Sequence, residues 1–411
     1  MNPTTSAPPP TCPQTAIRRG LAWLPRSQLE KLLAQTHYGS LRLELPDGRV
    51  VVHRGRAEGP HATLQLHRWR ALRRLLTRGD LGVAEGYWDG DWSTPDLVML
   101  LEFGVRNEAA LGAVLQGGPL ARLIARVRHL LNANSRRGSR RNIAAHYDLG
   151  NDFYAAWLDP RLIYSSALYA PGDTTLESAQ QRKLRRIGQL LCLQPNQAVL
   201  EIGCGWGALA IDLARRHDVR VTGLTLSQRQ LEHAGAEVAK AGLQASVELR
   251  LQDYRDVRDQ YDRIVSIEML EAVGEAYWPR YFETVRDRLK PGGCAVVQVI
   301  LIDDKYFPRY RESPDFIQRH IFPGGMLPCD AAVREQAARA GLQVECTDRF
   351  GASYARTLFE WRQRFEAAWP ELLEQGFDAA FRRLWRYYLS YCEVGFRTGR
   401  LDVALYRLRH A

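Results

Sequence analysis

The sequence predicts an α/β protein whose larger part is a Rossmann-like domain, because strands and helices alternate and a glycine-rich turn follows the first strand. The predicted first strand, Ala198–Ile202, runs directly into three alternating glycines, Gly203, Gly205 and Gly207. A helical stretch, Ala208–Arg216, follows the last of these glycines. Glycine in such a turn lets a ligand approach the backbone closely, so we expect a binding site beside it.

The alternation continues along the larger domain and predicts further strands and helices. The strands are Arg220–Leu224, Val247–Leu251, Arg263–Ile267 and Cys294–Ile300. The helices between them are Ser227–Ala241 and Tyr277–Leu289. Because parallel strands end at the same edge of a sheet, residues that follow directly after strands are the candidates for a binding site.

Chain length predicts more than one domain, because 411 residues exceed what one compact core usually holds. Residues 1–16 are expected to be a disordered tail. Residues 17–115 predict a smaller, mostly helical N-terminal domain, residues 116–141 a basic connection, and residues 142–411 the Rossmann-like domain.

Within the N-terminal domain, alternating apolar residues predict a β-hairpin that turns at Asp47–Gly48. A helix is predicted before it, over Leu29–Thr36. A second helix is predicted over Pro95–Phe103, with Ser93 or Thr94 as its N-cap.

Composition excludes several classes of protein. The chain is 45% hydrophobic, yet it has no stretch near the ~18 apolar residues that a membrane-spanning helix needs. Its first residues have neither the basic nor the apolar segment of a secretory signal peptide. The seven cysteines are scattered without a C-x-x-C pair, which favours reduced thiols in a cytosol. We therefore expect a cytoplasmic protein without a metal site.

Positive charge is concentrated in one segment of a chain whose net charge is +10. Residues 109–147 contain no acidic residue and seven arginines: Arg122, Arg126, Arg128, Arg136, Arg137, Arg140 and Arg141. Leucine, isoleucine and valine between residues 120 and 131 follow helical spacing, with Arg122, Arg126 and His129 on the other side. We expect such a helix to lie on an anionic phospholipid membrane surface, so that the protein is peripheral to the inner face of the membrane. Alternatively, its apolar side packs on a domain; nucleic acid is disfavoured because interleaved aromatic residues are missing.

The glycine spacing indicates the cofactor. The turn reads G-x-G-x-G with Glu201 ahead of it, which differs from the dinucleotide pattern G-x-G-x-x-G and suits S-adenosylmethionine. Candidate cofactor residues here are Val199, Leu200, Glu201, Ile202, Gly203, Cys204, Gly205, Trp206 and Gly207. Those after the next three strands are Thr225, Leu226, Ser227, Gln230, Gln252, Asp253 and Glu268. At the end of the third strand, Gln252 and Asp253 are placed where an adenine amino group would need an acceptor. Alternatively, each of these polar residues is simply solvated at the rim of the domain and binds no cofactor.

Six ordered motifs together resemble the cyclopropane-fatty-acyl-phospholipid synthase family, across roughly residues 140–400. They are HYDLGNDFY (146–154), YSSALY (164–169), VLEIGCGWG (199–207), TLSQRQ (225–230), SIEMLEAVGEAYW (266–278) and IFPGGMLP (321–328). The segment GYWDGDWSTPDL (86–97) resembles the longer bacterial members, which carry an extra N-terminal domain. The resemblance implies a class I methyltransferase domain and a homodimer formed through the lipid-binding N-terminal domain.

The activity implied by the resemblance is methylene transfer from S-adenosylmethionine to the cis double bond of an unsaturated phospholipid acyl chain. The alkene attacks the sulfonium methyl group, and positioning supplies much of the acceleration. A carbocation results, and water must be kept away from it. In the family, the base that then removes a proton is understood to be a bound bicarbonate. Which proton is lost decides between a cyclopropane and a branched chain.

The resemblance also implies the pocket that holds this bicarbonate. Glu271 and Tyr354 match the family's glutamate and tyrosine, and Ile300 matches a position that contributes through its backbone. Ser166 replaces a cysteine of many members, and Gln298 replaces a histidine. Both replacements can donate hydrogen bonds, although glutamine cannot titrate near neutral pH. The altered pocket raises a second possible outcome, a methylene- or methyl-branched product.

Four further positions are carried over from the family. Tyr164 and Ser165 resemble the segment that covers the cofactor, and His146 either contacts its methionine carboxylate or caps a helix. Cys392 matches a cysteine once regarded as catalytic, but we interpret it as structural, because the mechanism needs no thiolate and its neighbours pattern as a packed helix. Two other functions stay open: a small-molecule N-methyltransferase and a silent binder of lipid or cofactor.

Overall fold

The computed structural model describes residues 30–31, 33–115, 149–312 and 314–411, and the chain divides into two compact units, residues 1–118 and 119–411. The expected tail, the basic connection at residues 116–141 and His146 lie outside the described residues. The predictions made for them, including the lipid-binding helix, therefore stay predictions.

The first unit is built on a sheet with the order β2-β1-β3-β4 among its described residues. Its strands are β1 (Tyr38–Glu44), β2 (Val50–Arg54), β3 (Ala57–Leu66) and β4 (Trp92–Ser93). The antiparallel pair β1–β2 is the predicted hairpin, whereas β3, parallel to β1, was not predicted because Gly59 and Pro60 interrupt its pattern. Helical residues outnumber strand residues, in α1 (Arg70–Trp88), α2 (Leu97–Arg106) and α3 (Glu108–Leu115).

Helix α2 begins two residues later than predicted and has a different N-cap. The side chain of Asp96 accepts a hydrogen bond from the Met99 N–H at 3.0 Å, so the prediction of Ser93 or Thr94 as the cap is wrong. Ser93 belongs to β4, and the Thr94 hydroxyl donates to the Asp96 carbonyl. Aspartate is among the strongest N-cap residues, and here it is the one that reaches the N3 amide.

The second unit contains a sheet with the order β10-β11-β9-β8-β5-β6-β7. Its strands are β5 (Ala198–Ile202), β6 (Arg220–Thr225), β7 (Val247–Leu251), β8 (Tyr261–Ile267), β9 (Leu289–Ile302), β10 (Leu342–Arg349) and β11 (Leu401–His410). The strands β5 to β9 pair in parallel, and all of them were predicted. The antiparallel strands β10 and β11, which extend the sheet beyond β9, were not predicted. This arrangement is a Rossmann-like methyltransferase fold.

Helices cover the sheet of the second unit. They are α4 (Asn151–Ala155), α5 (Leu176–Leu191), α6 (Ala208–His217), α7 (Gln228–Lys240), α8 (Leu270–Val273), α9 (Trp278–Arg288), α10 (Phe307–Glu312), α11 (Phe316–His320), α12 (Asp330–Arg339), α13 (Gly351–Ala367), α14 (Trp369–Glu374) and α15 (Ala379–Arg397). In the part of the chain that the structure describes, no helix combines the length and apolarity needed to cross a membrane.

A cluster of buried aromatic rings joins α4, α13 and α15. The ring centroids of Trp157 and Trp361 lie 5.7 Å apart, and those of Phe153 and Trp385 lie 5.0 Å apart. Trp157, Trp361 and Phe153 are completely buried. Such rings contribute both buried area and preferred edge-to-face geometry. The cluster fixes α13, which carries Tyr354, relative to the segment after α4.

In the first unit, the carboxylate of Asp91 is completely buried and is surrounded by arginines. Arg70 donates two hydrogen bonds to it, at 2.8 and 2.7 Å, and Arg74 lies 3.2 Å away. The neighbouring Asp89 is exposed by comparison, and its ion pair with Arg74 faces solvent. Hydrogen bonds to a buried charged group stabilise a protein more than exposed ion pairs do.

We expect Asp91→Asn to lower the free energy of unfolding by about 1.5–3 kcal/mol, because charge-assisted hydrogen bonds to a buried carboxylate are lost. The matched control, Asp89→Asn, should cost less than about 1 kcal/mol, since its ion pair is exposed. Urea-induced unfolding of the two variants measures this difference. Equal losses of stability would contradict the structural role given to Asp91.

Candidate active site

A cleft opens at the carboxyl ends of β5, β6 and β8, where the sequence places the cofactor. It is partly enclosed by the chain and partly open to solvent. The predicted cofactor residues that line it are Tyr164, Ser165, Glu201, Ile202, Gly203, Cys204, Gly205, Trp206, Thr225, Leu226, Gln230, Gln252 and Glu268. The structure therefore brings together most of the predicted set.

The glycine turn of this cleft has a backbone that other residues adopt only with strain. Gly203 has φ of 82°, and a Cβ there would lie 2.4 Å from the Met269 Sδ. Gly207 has φ of 89°, stands as the N-cap of α6, and would place a Cβ 3.1 Å from Ala234. The Trp206 indole donates to the Asn151 Oδ1 at 2.8 Å. The hydrogen bond from Trp206 thus fixes the turn against α4, and the two glycines let neighbouring side chains approach its backbone closely.

Polar groups in the cleft suit a cofactor with an ammonium and a ribose. Burial raises the pKa of Glu201 to about 8. Among the described residues its Oε2 has no hydrogen-bond partner, so it can accept a hydrogen bond from an ammonium group. Thr225 donates to the Gln230 Oε1 at 2.9 Å, which fixes two neutral polar side chains at the end of β6. Gln252 lines the cleft at the end of β7.

Several predicted cofactor residues do not line the cleft. Val199 and Leu200 are completely buried in the sheet, and Gly207 and Ser227 are N-caps of α6 and α7. The expectation that Asp253 accepts an adenine amino group is not met by its geometry. Its carboxylate is buried and accepts hydrogen bonds from the Arg255 Nε at 2.9 Å and Nη2 at 2.6 Å. An arginine two residues away competes for the same oxygens, a pairing that the strand pattern does not reveal.

The segment Tyr164–Ser166 lies against the cleft and is held by α5. Lys183, completely buried in that helix, donates from Nζ to the Ser165 Oγ at 2.6 Å and itself lines the cleft. Burial lowers the pKa of Lys183 to about 8, against the charges of Glu268, Asp159 and Glu201. Lys183 was not among the predicted site residues. The helical spacing of the sequence could have indicated it, because position 183 falls on the buried side of α5 rather than on the side that faces solvent.

Three parts of the chain donate hydrogen bonds to the carboxylate of Glu268, which is half-buried at the cleft. The Ser166 N–H donates to Oε1 at 2.9 Å, and the Gln298 Nε2 donates to the same oxygen at 2.7 Å. The Tyr354 hydroxyl donates to Oε2 at 2.7 Å. The structure thus assembles three residues expected in the catalytic pocket, and it does so around a side chain that the sequence analysis assigned to the cofactor.

A second carboxyl group, Glu271, lies three residues further along the chain, in α8. Its Oε1 accepts a hydrogen bond from the Ile300 N–H at 2.5 Å, so Ile300 contributes through its backbone, as expected. Burial, and after it the charge of Glu268, raises the pKa of Glu271 to about 8. At neutral pH Glu271 is therefore mostly the neutral acid.

The proton of this carboxyl pair belongs to Glu271 rather than to Glu268. Burial raises the pKa of Glu268, but the hydrogen bonds from Ser166 and Tyr354 and the charge of Lys183 oppose that shift. Donors aimed at a carboxylate stabilise its charged form. Two neighbouring carboxyl groups then divide the roles, one neutral and one ionised.

The residues present do not fit a separate bicarbonate in this arrangement. The Ser166 hydroxyl donates to the Ala167 carbonyl at 2.9 Å and not into the pocket, which corrects the role expected of that side chain. The donors from Ser166, Gln298 and Tyr354 already bind Glu268. Within the described chain, the buried atoms without partners here are Oε1 of Gln298, an acceptor, and Oε2 of Glu271, which offers at most the one O–H of a neutral acid. An anion needs donors, so no step is derived through bicarbonate.

Cys392 lies in α15 and takes part in none of these hydrogen bonds. Burial, with a smaller contribution from Asp315, raises the pKa of its thiol. A thiol in such surroundings stays protonated and is a poor nucleophile. This geometry supports the structural interpretation of Cys392.

Fold and cleft together define an S-adenosylmethionine-dependent methyltransferase, and the comparisons give its family. The family model for mycolic acid cyclopropane synthetase matches residues 134–406, so the chain belongs to this family. Tuberculostearic acid methyltransferase UfaA1 of Mycobacterium tuberculosis is 38% identical over 383 residues, 88% of this chain and 86% of that protein. The cyclopropane-fatty-acyl-phospholipid synthase of Escherichia coli is 38% identical over 339 residues, 82% of this chain and 84% of that protein.

Solved structures agree with this assignment. The cyclopropane synthase MmaA2 of M. tuberculosis superposes with a TM-score of 0.62 at 31% identity, covering 66% of this chain and 97% of that one. The same values hold for the mycolic acid cyclopropane synthase CmaA1, whose structure contains SAH and CTAB. Coclaurine N-methyltransferase, at 19% identity and a TM-score of 0.62, shows the shared fold alone. At the level of the family, the chemistry is S-adenosylmethionine-dependent one-carbon transfer to an unsaturated lipid, with a cyclopropane or a methyl branch as product.

We expect Gly203→Ala to weaken S-adenosylmethionine binding about tenfold or more, because a side chain at this φ and this distance from Met269 costs about 1–3 kcal/mol. The control is Gly242→Ala, which also has positive φ, 68°, but has open space around its Cβ. Calorimetric titration measures both affinities. Equal affinities in the two variants would contradict the close approach described for Gly203.

We expect Cys392→Ala to retain the wild-type kcat, since a protonated thiol takes no part in the reaction. In the wild-type protein, iodoacetamide at neutral pH should modify the exposed Cys192 well before Cys392, as read by peptide mass spectrometry. Rapid modification of Cys392 with loss of turnover would return this residue to the catalytic set.

Proposed function

We propose that this protein transfers a methylene group from S-adenosylmethionine to the cis double bond of an acyl chain in membrane phospholipid and closes a cyclopropane ring. The observation that carries the proposal is the half-buried pair of carboxyl groups, Glu268 and Glu271, at the edge of the cofactor cleft. A reaction that ends in loss of a proton from carbon needs a base shielded from water, and this pair provides one.

The cleft would position the cofactor for this reaction. Glu201 offers a free acceptor to the methionine ammonium, and Thr225, Gln230 and Gln252 offer polar groups to the ribose and adenine. When bound, S-adenosylmethionine supplies an electrophilic methyl group. The narrow turn at Gly203 fixes how deeply the cofactor enters, and so where that methyl group lies.

Aromatic side chains next to the carboxyl pair would exclude water and accommodate the acyl chain. The ring of Tyr354 lies 4.4 Å from that of Phe396, centroid to centroid. The hydroxyls of Tyr164 and Tyr388 are 2.8 Å apart, and this hydrogen bond joins the segment Tyr164–Ser166 to α15. Aromatic faces also attract positive charge, which suits a carbocation formed beside them.

The ring-closing product follows if the base acts on the transferred carbon. Attack by the alkene breaks the bond between sulfur and methyl carbon, forms a carbon–carbon bond, and leaves the positive charge on the other alkene carbon. Removal of a proton from the new methyl group lets its electron pair close the ring. The lipid substrate and an anionic membrane surface as partner are supported by the family and by the charge of residues 109–147.

A second product has a specific observation in its favour. Gln298 stands where the resemblance places a histidine, and its amide donates to Glu268. If a hydride moves to the cation before proton loss, the charge shifts to the carbon that carries the new methyl group, and a methylene branch results. A relative that aligns over 88% of this chain is named a methyltransferase rather than a cyclopropane synthase.

The test is to incubate the purified protein with S-adenosylmethionine and vesicles of a cis-unsaturated anionic phospholipid, then to analyse the acyl chains. We expect the gain of one CH₂ and the upfield proton signals of a cyclopropane ring; vinylidene protons would select the methylene branch instead. Vesicles with the same headgroup and saturated chains are the control and should give no product. Binding of cofactor without any lipid product, or methylation of amines, would contradict the proposed function.

A further inference from the structure

We propose that the carboxylate of Glu268 is itself the base that takes the proton from the carbocation, so that the protein carries within its chain the function expected of a bound bicarbonate. The inference rests on the proposed function, because it concerns the last step of that reaction. It would make Glu268 a catalytic residue rather than a cofactor ligand alone.

Three hydrogen-bond donors surround the carboxylate of Glu268. The Ser166 N–H, the Gln298 Nε2 and the Tyr354 hydroxyl donate to it at 2.9, 2.7 and 2.7 Å. The resemblance assigns these same three residues to an external anion. In this protein they bind a carboxylate that is part of the chain, which is present without any cost of binding it from solution.

The backbone at Glu268 also sets this residue apart. Its φ is 51°, in the left-handed region, which residues other than glycine adopt only with strain. Its N–H donates to the Gln298 carbonyl at 2.9 Å, so backbone and side chain of Glu268 are both tied to the same residue of β9. Strained conformations of this kind persist where the surroundings impose them, and they concentrate at functional sites.

Position and charge also distinguish Glu268 from Glu271. Glu268 lines the cofactor cleft together with Tyr164, Gly203 and Met269, whereas Glu271 is not part of that lining. Burial raises the pKa of both carboxyl groups, but three hydrogen-bond donors and the charge of Lys183 favour the charged form of Glu268, whereas Glu271 has one backbone donor from Ile300. A carboxylate that lines the cleft can accept a proton from a reacting group there.

The step balances without another reactant. The carbon–hydrogen bond of the transferred methyl group breaks, its electron pair forms the last ring bond to the cationic carbon, and the proton goes to an oxygen of Glu268. The charge of the carbocation and that of the carboxylate are both neutralised. After the product leaves, the proton passes to solvent and the carboxylate is restored.

The experiment compares wild type with Glu268→Gln, which keeps the shape of the side chain and removes its basicity. We expect kcat to fall about 100-fold or more, the usual effect of losing a general base, while affinity for S-adenosylhomocysteine is retained. The matched control is Glu283→Gln, an exposed glutamate of α9, which should leave kcat unchanged. In parallel, wild-type turnover is measured in buffer freed of carbon dioxide and again after bicarbonate is added; we expect equal rates.

A second variant, Glu268→Gly, removes the carboxylate and suits the left-handed backbone. We expect it to be inactive alone and to regain turnover when formate or bicarbonate is added, because a small anion can then use the released donors. If Glu268→Gln also loses affinity for S-adenosylhomocysteine, this rescue decides the matter: recovery supports the inference, and no recovery overturns it.

Two other results would overturn the inference while leaving the proposed function intact. One is wild-type turnover that falls without bicarbonate and returns when it is added. The other is a Glu268→Gln protein as active as wild type. Absence of any lipid product from the wild-type protein would instead overturn the proposed function, and this inference with it.

Discussion

The architecture of the active site depends on one carboxylate at the cleft. Glu268 stands at the end of β8, and its oxygens accept hydrogen bonds from the segment Tyr164–Ser166, from β9 and from α13, through Ser166, Gln298 and Tyr354. These parts of the chain are far apart in sequence, and a charge withdrawn from water is tolerated only where enough donors converge on it. Burial, and after it the charge of this carboxylate, raises the pKa of Glu271. One charge therefore organises the pocket and adds to the shift of its neighbour.

The surroundings keep this arrangement rigid from both sides. Lys183 and Gln180 of α5 bind the side chain and the carbonyl of Ser165, which places the Ser166 N–H. The Ala167 N–H donates to the Thr357 hydroxyl, and aromatic packing around Trp361 holds α13. The donors that meet Glu268 are thus fixed by contacts made elsewhere, which is how preorganised sites avoid rearrangement during a reaction.

Local signals in the sequence were enough for the central sheet and for most of the cofactor cleft. A strand followed by alternating glycines is read from neighbouring residues, so β5, its turn and the parallel strands around it were predicted. The roles of side chains that depend on partners elsewhere in the fold could not be predicted in this way. Asp253 binds Arg255 instead of facing the cleft, the Ser166 side chain turns away while its N–H is used, and Glu268 differs from a rim residue only through its donors. The antiparallel strands β10 and β11 were missed because each follows a long stretch of helices after β9, outside the regular alternation of strands and helices.

Whether Glu268 occupies the place of an external anion can be seen directly in a crystal structure. Crystals of the wild-type protein with S-adenosylhomocysteine, grown with bicarbonate in the medium, would show what the donors bind. We expect the Glu268 carboxylate between Ser166, Gln298 and Tyr354, with no separate planar anion beside it. Density for bicarbonate bound to these three residues, with the Glu268 side chain turned away, would contradict it.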